Sequence, residues 1–381
     1  MKIFRILPIV LLTFALGCSD SEETPYVPTP APTPSAYFKG MDLSFQSELE
    51  SYDPVYKTNG GTPVDLLEFV NVSGVNLVRL KLWHTSENGQ NTLNQVLAYA
   101  LKIKQNNMKF MLDIHYSDTW ADPGHQTPPA AWDGLTQAQV QTEVYDYTKD
   151  VLTAFKNQGT MPDFVQIGNE TDSGFLWDYG KVWDDFADNW PNYAALVSKG
   201  IEAVRFVNGD ETKIVLHHSK VENAVYFFNE LAPFNLDFDV IGLSYYPQFQ
   251  TKDLTVVQTK LNQLAATFDK EIMIVEVAYP FTLGWDDSLN NFIGSADQII
   301  PAYPATPDGQ RNFLNQIDAV MRSIPNNKGI GWIYWAPDWV AFDGNEATTT
   351  GGSSWENQAL WDFDHKALPA MEAFFPLIIL Q

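Results

Sequence analysis

Eight short apolar runs, each preceded or followed by a helix-like stretch, constrain this chain more than any other feature. They are Phe38–Asp42, Leu77–Trp83, Lys109–His115, Phe164–Asn169, Lys213–His217, Val240–Tyr245, Ile272–Val277 and Gly331–Trp335. Helical patterns such as Leu93–Asn106, Gln137–Gln158 and Tyr193–Val207 fall between them, so the repeating unit is strand then helix. A parallel strand covered on both faces reads as continuously apolar. Phe164-Val165-Gln166-Ile167-Gly168 and Ile272-Met273-Ile274-Val275 come close to that pattern. The α/β arrangement expected is a single (β/α)8 TIM barrel over residues 37–381 with enlarged βα loops, for which roughly 345 residues is an ordinary size. A doubly wound open sheet is the rival. Asp42, Arg79, His115, Glu170, Tyr245, Glu276 and Trp335 stand at or just beyond the C-terminal ends of the runs. A barrel gathers those ends on one rim, whereas an open sheet would string them along a line.

The segment before this domain has a different character. Lys2 and Arg5 precede an apolar run from Ile6 to Leu16, which is too short to span a bilayer but suits a signal core. It closes on Ala15-Leu16-Gly17-Cys18, which resembles the lipobox of bacterial lipoproteins. Residues 1–17 therefore read as a lipoprotein signal peptide and Cys18 as the lipidated residue; an ordinary secretory signal is the alternative. Ser19-Asp20-Ser21-Glu22-Glu23 and five prolines within residues 24–36 make residues 18–36 an acidic, extended tether. Acidic residues directly after such a cysteine resemble a surface-export signal of some Gram-negative bacteria. The expected location is the outer membrane, at the cell surface.

Composition removes whole classes of function. A chain of 381 residues with 45% hydrophobic and 14% aromatic residues is too apolar to be disordered. Its 23 Lys+Arg against 47 Asp+Glu leave a net charge of −24, which argues against a nucleic-acid partner because phosphate contacts need cations. One cysteine excludes a disulfide framework and multi-Cys metal sites. An acidic, aromatic-rich surface leans toward a neutral ligand with apolar faces, such as a sugar, and a monomer is expected.

Two carboxylates carry the chemical signal. Glu170 ends Gln166-Ile167-Gly168-Asn169-Glu170, and Glu276 sits in Ile274-Val275-Glu276-Val277. Each follows a buried run, so each leaves a rigid element rather than a solvated loop. Glycoside hydrolysis needs one protonated carboxyl to assist the leaving oxygen and one ionised carboxylate on the anomeric carbon. Arg79 can keep one of them ionised, and Asn169 offers an amide to a sugar hydroxyl. Trp83, Trp120, Trp177, Trp335 and Trp339 are candidate platforms for pyranose faces, and His115 is read as a site residue. His217 and His218 are adjacent on a strand, point to opposite faces and cannot share a metal. The chain has no HExxH, P-loop, GxGxxG or GxSxG pattern, so no catalytic cofactor is expected.

The same residues resemble a known family. Lys39-Gly40-Met41-Asp42-Leu43-Ser44, Val78-Arg79-Leu80-Lys81-Leu82-Trp83, Leu112 through Gly124 (with His115-Tyr116-Ser117-Asp118-Thr119-Trp120-Ala121-Asp122-Pro123), Gln166 through Glu170, Ile241 through Pro247, Val275 through Pro280 and Tyr334-Trp335 are similar to family 53 glycoside hydrolases. These are endo-β-1,4-galactanases of a clan whose glutamates follow strands four and seven. The resemblance implies internal cleavage of β-1,4-galactan, giving galactooligosaccharides with retention. It implies Glu170 as acid/base, Glu276 as nucleophile and Asn169 on the 2-hydroxyl of the reacting sugar. Asp42, Arg79, Trp83, His115, Trp120, Tyr245 and Trp335 are then substrate-binding or charge-tuning, with Trp335 as the sugar platform. His125 and Ala336 depart from the Lys and Glu often found there. Some relatives hold a structural Ca2+ in the loop after strand seven, where Asp286, Asp287 and Asn291 are the candidate oxygen ligands, although Trp285 and Leu289 replace an Asp and a His. A mannanase or cellulase of the same clan, or a non-catalytic sugar-capturing lipoprotein, would share many of these features. A pure binder, however, has no need of two carboxylates after buried strands.

Overall fold

In a computed structural model, which describes residues 36–86, 88–344 and 351–375, every apolar run pairs in parallel with the next. The strands are β1 (Phe38–Asp42), β2 (Leu77–Leu82), β3 (Lys109–Ile114), β4 (Phe164–Ile167), β5 (Lys213–His218), β6 (Val240–Tyr245), β7 (Glu271–Val277) and β8 (Gly329–Trp335). β8 closes on β1 through the register Phe38↔Gly331 to Asp42↔Trp335, and the ring is a (β/α)8 barrel. The signal segment, Cys18 and the tether to residue 35 lie outside the described residues.

Among the described residues a single-turn helix, Gln46–Leu49, follows β1, and seven longer helices connect the eight strands: α1 (Leu66–Val72), α2 (Leu93–Gln105), α3 (Gln137–Gln158), α4 (Trp190–Asn208), α5 (Ala224–Leu231), α6 (Leu254–Thr267) and α7 (Pro307–Arg322). Thr92 and Thr136 cap α2 and α3 through reciprocal bonds with Gln95 and Gln139, which satisfies N–H groups the first turn would leave orphaned. α3 turns Val140, Val144, Val151, Leu152 and Phe155 to the barrel at helical spacing, each worth about 1.5–3 kcal/mol when fully buried. α4 begins three residues before the expected start because Pro191 fits a first turn, where its missing N–H is not needed. After β8 a 3-10 turn (Pro369–Phe374) takes the place of an eighth helix, setting Phe374 against Trp332 with ring centroids 4.7 Å apart.

Strand alternation divides the barrel interior into layers. Phe38, Leu77, Met111, Phe164, Val215, Val240 and Met273 belong to one buried apolar cluster that plugs the lower end. Two residues further along their strands come Arg79, Asp113, Gln166 and His217, all buried and hydrogen-bonded to one another in one polar layer. β7 breaks the alternation: Leu243 pairs Ile274 but Ser244 pairs Glu276, and on the other side Trp332 pairs Ile274 but Tyr334 pairs Val277. This is a bulge at Val275-Glu276. Val275 joins the interior cluster, and Glu276, its neighbour, still reaches the barrel mouth.

Gly331 marks a second irregularity, beside a register shift in β8, with φ of +150°. A Cβ there would stand 2.1 Å from the Phe38 carbonyl oxygen across the closing seam. Gly331→Ala is expected to lower unfolding stability by about 3 kcal/mol, read as a lower urea midpoint.

Candidate active site

The strand ends and the long loops after β3, β7 and β8 enclose a cleft of about 620 Å³. Asp42, Arg79, His115, Trp120, Asn169, Glu170, Glu276 and Trp335, all expected in the site, line it. Glu170 reaches it through a strained turn. Gly168 has φ of +76°, and a Cβ on it would meet Thr171 Cγ2 at 2.6 Å. Glu170 itself is left-handed at φ 45°, ψ 58°, an unusual conformation for a residue with a side chain. The turn lifts the carboxyl off the strand and aims it across the mouth.

Arg79, only 1% exposed, organises the floor. Its Nη1 donates to Asp42 Oδ2 at 2.7 Å and lies 2.9 Å from Glu276 Oε1; its Nη2 donates to Asp113 Oδ2 and Asn169 Oδ1, both at 2.8 Å. Burial works against the guanidinium charge, but Asp113, Glu276 and Asp42 outweigh it and hold the group protonated. Tyr246 O–H donates to Glu276 Oε2 at 2.9 Å. Burial and the Glu276 charge push the Tyr246 phenol well above its ordinary range, so it remains a donor.

Glu170 has a different environment. Ser244 Oγ donates to Glu170 Oε1 at 2.6 Å, and His217 Nε2 lies 2.9 Å from the same hydroxyl. Burial, followed by Arg79, lowers His217 well below its ordinary pKa, so the imidazole is neutral. Since the hydroxyl proton goes to Glu170, Nε2–H donates to Ser244 and Nδ1 accepts the Glu170 backbone N–H at 3.3 Å. Ser244 also pairs Glu276 in the β6–β7 register, about 4.8 Å away across the ladder. One serine thus touches Glu170 and stands beside Glu276, which brings the two carboxyls to face each other.

The carboxyls consequently differ in acidity. Burial raises both, and the Glu276 charge raises Glu170 further, leaving it well above the carboxylate range with only Ser244 to oppose the rise. Arg79 and Tyr246 pull Glu276 back to about 7. Glu276 releases its proton first.

Some expected residues take other places. Tyr245 is fully buried, its hydroxyl donating to the Thr251 carbonyl at 2.8 Å and its ring stacked on Phe313 of α7. Adjacent strand residues face opposite ways, so Ser244 and Tyr246 point to the site and Tyr245 to the helices. Trp83 does not line the cleft; its indole N–H donates to His115 Nδ1 at 3.3 Å. His115 Nε2 donates in turn to Asp113 and is set 2 residues beyond it on the same face. Trp177 lies elsewhere, whereas Trp339 does line the cleft. Asp286, Asp287 and Asn291, the candidate calcium ligands, sit in a network of amide hydrogen bonds. Asp287 accepts the Leu289 and Ser353 amides on its two oxygens. Glu356 gathers the Asp286 and Asp287 backbone amides and Asn291 Nδ2. Among the described residues Asn291 Oδ1 is buried without a donor. Among the described residues no group of three or more His, Cys, Asp or Glu is arranged to hold a metal.

Lys81, Tyr246, Ser244, His217 and Trp355 are functional surroundings that sequence reasoning missed. Lys81 Nζ lies 3.6 Å from the Trp120 ring centroid and 4.1 Å from that of Phe45, and burial pushes it down to about 7. The signal for Lys81 was its spacing two residues after Arg79. Trp355 comes from a distant loop and leaves no such trace.

A closed barrel presenting two unequal carboxyls across an aromatic-lined cleft defines a glycoside hydrolase site. This chain belongs to glycosyl hydrolase family 53, whose family model matches residues 38–374. It is 36% identical over 347 residues to an arabinogalactan endo-beta-1,4-galactanase of Cellvibrio japonicus, covering 89% of this chain and 90% of that protein. The structure of an Ignisphaera aggregans GH53 catalytic domain superposes with a TM-score of 0.83 at 32% identity, over 92% of this chain and 99% of that one. A fungal beta-1,4-galactanase structure gives 0.77 at 27% identity, covering 88% and 98%.

Removing the guanidinium would strand Asp42, Asp113 and Glu276 as buried, uncompensated charges. Arg79→Met is expected to lose about 3–5 kcal/mol near neutral pH. Burial already raises the Glu276 carboxyl and Arg79 opposes that rise, so without the guanidinium its folded pKa stands further above the unfolded one and its ionised form opposes folding. Lowering the pH protonates Glu276 and should recover part of the loss, as read by urea titrations at pH 7 and pH 5.

Proposed function

We propose that this chain is an endo-β-1,4-galactanase that cleaves internal β-1,4-galactosidic bonds of pectic galactan or arabinogalactan with retention of configuration. The observation that carries the reading is the division of labour between Glu276, ion-paired to Arg79, and Glu170, desolvated and with its carboxyl held by the Ser244 hydroxyl. In the first step ionised Glu276 attacks the anomeric carbon while protonated Glu170 gives its proton to the departing glycosidic oxygen. A glycosyl–Glu276 ester forms and the glycosidic bond breaks. In the second step Glu170, now a carboxylate, takes a proton from water; the hydroxide displaces Glu276, which returns to Arg79 and Tyr246. Asn169, held through Oδ1 by Arg79 and through Nδ2 by the Ala121 carbonyl at 2.8 Å, keeps a second amide N–H, suited to the 2-hydroxyl. Trp335 and Trp355, with centroids 4.7 Å apart at 80°, form a corner suited to a pyranose face.

The deciding experiment is digestion of linear galactan, mannan and cellulose with product sizing. Galactooligosaccharides of several lengths early in the reaction, initially of β configuration by NMR, are expected from galactan. Activity confined to mannan or cellulose would overturn the substrate reading, and unchanged turnover by Glu276→Ala would overturn the mechanism.

Rate against pH should be bell-shaped, because the productive form has Glu276 ionised and Glu170 protonated. Tyr246→Phe removes a bond that lowers the Glu276 pKa, so the acid limb should move to higher pH with kcat about tenfold lower. Ser244→Ala removes the bond that lowers Glu170, so the alkaline limb should move upward. Opposite or absent shifts in kcat/KM profiles would count against the assignment.

We further propose that the enzyme is a monomer anchored at the outer-membrane surface through lipidated Cys18, a reading supported by the lipobox-like Ala15-Leu16-Gly17-Cys18 and the acidic tether. Cys18→Ala is expected to release activity from the membrane fraction. Retention there would refute the anchor.

A further inference from the structure

A second cavity of about 610 Å³ opens among the loops after β3 and β4 and shares no lining residue with the catalytic cleft. Four rings, Trp132, Trp177, Tyr179 and Phe186, supply its apolar surface. Two of them are held by hydrogen bonds: Trp177 Nε1 donates to the Ser173 carbonyl at 3.2 Å, and Tyr179 O–H to that of Leu135 at 2.8 Å. Lys181 Nζ stands 4.8 Å from the Trp177 centroid and 5.4 Å from that of Phe186, bracing both without itself lining the cavity.

Polar groups between the rings set the ligand class. Among the described residues Gln137 Nε2 is buried without an acceptor, a costly state that a ligand oxygen would relieve. Asn192 donates to Asn189 Oδ1 at 2.6 Å, which keeps its own Oδ1 for a donor. The charged lining residues are Asp133 and Asp178; no Lys, Arg or His contributes. Two carboxylates without a cation disfavour an anion, and the amides disfavour a wholly apolar molecule. Rings for C–H faces, with amides and carboxylates for hydroxyls, suit a neutral hexopyranose chain.

The cavity also connects to the chemistry. The Trp177 backbone N–H donates to the Gln126 carbonyl at 2.7 Å. Gln126, 2% exposed, sends its side-chain amide to the Asn169 carbonyl at 2.8 Å and to that of Glu170 at 3.3 Å. Asp122 and Pro123 line the cleft, and Thr127 and Pro128, a few residues on, line this cavity. One short segment therefore separates two sugar-compatible surfaces.

We propose that this cavity is a second, non-catalytic binding site for a stretch of β-1,4-galactan, holding the polymer beside the cleft. The proposal rests on the galactanase reading above. Occupying both sites on one chain makes the second contact intramolecular, so the gain exists for polymer and vanishes for oligomers too short to span both.

Gln137→Leu and Phe186→Ala test it in the full-length enzyme. Gln137→Leu removes a donor that has no protein partner, so the unliganded fold should keep its thermal midpoint. Each variant is expected to raise KM on linear galactan about fivefold while leaving kcat/KM on galactotetraose within error of wild type. Each should also weaken retardation of the Glu276→Ala protein in galactan-containing native gels. Unchanged polymer KM and retardation in both variants would overturn the second site. So would a parallel loss on galactotetraose, which would make the cavity part of the cleft. A wild-type enzyme that leaves galactan intact would instead sink the underlying substrate reading, which keeps the two failures distinct.

Discussion

The buried guanidinium of Arg79 is the constraint around which the rest of the site is arranged. From β2 it reaches Asp42 at the end of β1, Asp113 in β3, Asn169 beyond β4 and Glu276 in β7. A lone cation in so dry a place would be prohibitively unstable, and three carboxylates packed together without it would be no better. Each needs the other, so the barrel mouth has one self-consistent charge arrangement. The chain's large acidic excess does not intrude, because the compensation is local.

From that arrangement comes the inequality between the carboxyls. Glu276 shares a cation and a phenol; Glu170 has a hydroxyl oriented by a neutral imidazole. Burial is common to both, so the difference is made by hydrogen bonds and charge rather than by depth. The same logic explains why Ser244 matters: it stands beside one carboxyl in the sheet and donates to the other. The left-handed turn at Glu170 and the bulge before Glu276 aim the two side chains, and both devices depart from regular backbone where regular backbone would point them elsewhere.

Much of this was legible in advance. The eight strands fall where continuous apolar runs end in polar residues, because a strand covered on both faces can be nothing but apolar until it reaches the rim. Glu170, Glu276 and Arg79 could be picked out on that ground alone. Tyr245 could not be resolved from Tyr246: two tyrosines end the same strand, and which one faces inward depends on the phase of alternation, set by the neighbours' register. Asp286, Asp287 and Asn291 carry the oxygens a cation would want, yet the carboxylate of Glu356, 65 residues beyond Asn291, draws that loop's own N–H groups onto itself.

The sequence by itself determined the alternation of strands and helices and the presence of two carboxyls after buried strands, since these follow from local periodicity and burial, while closure of the ring comes from the pairing of β8 with β1. Only the tertiary structure decided how those carboxyls differ, which tyrosine serves them, and that Val275 and Glu276 both turn inward. Those outcomes depend on strand register and on partners from distant loops. No residue's immediate neighbours in the chain encode either.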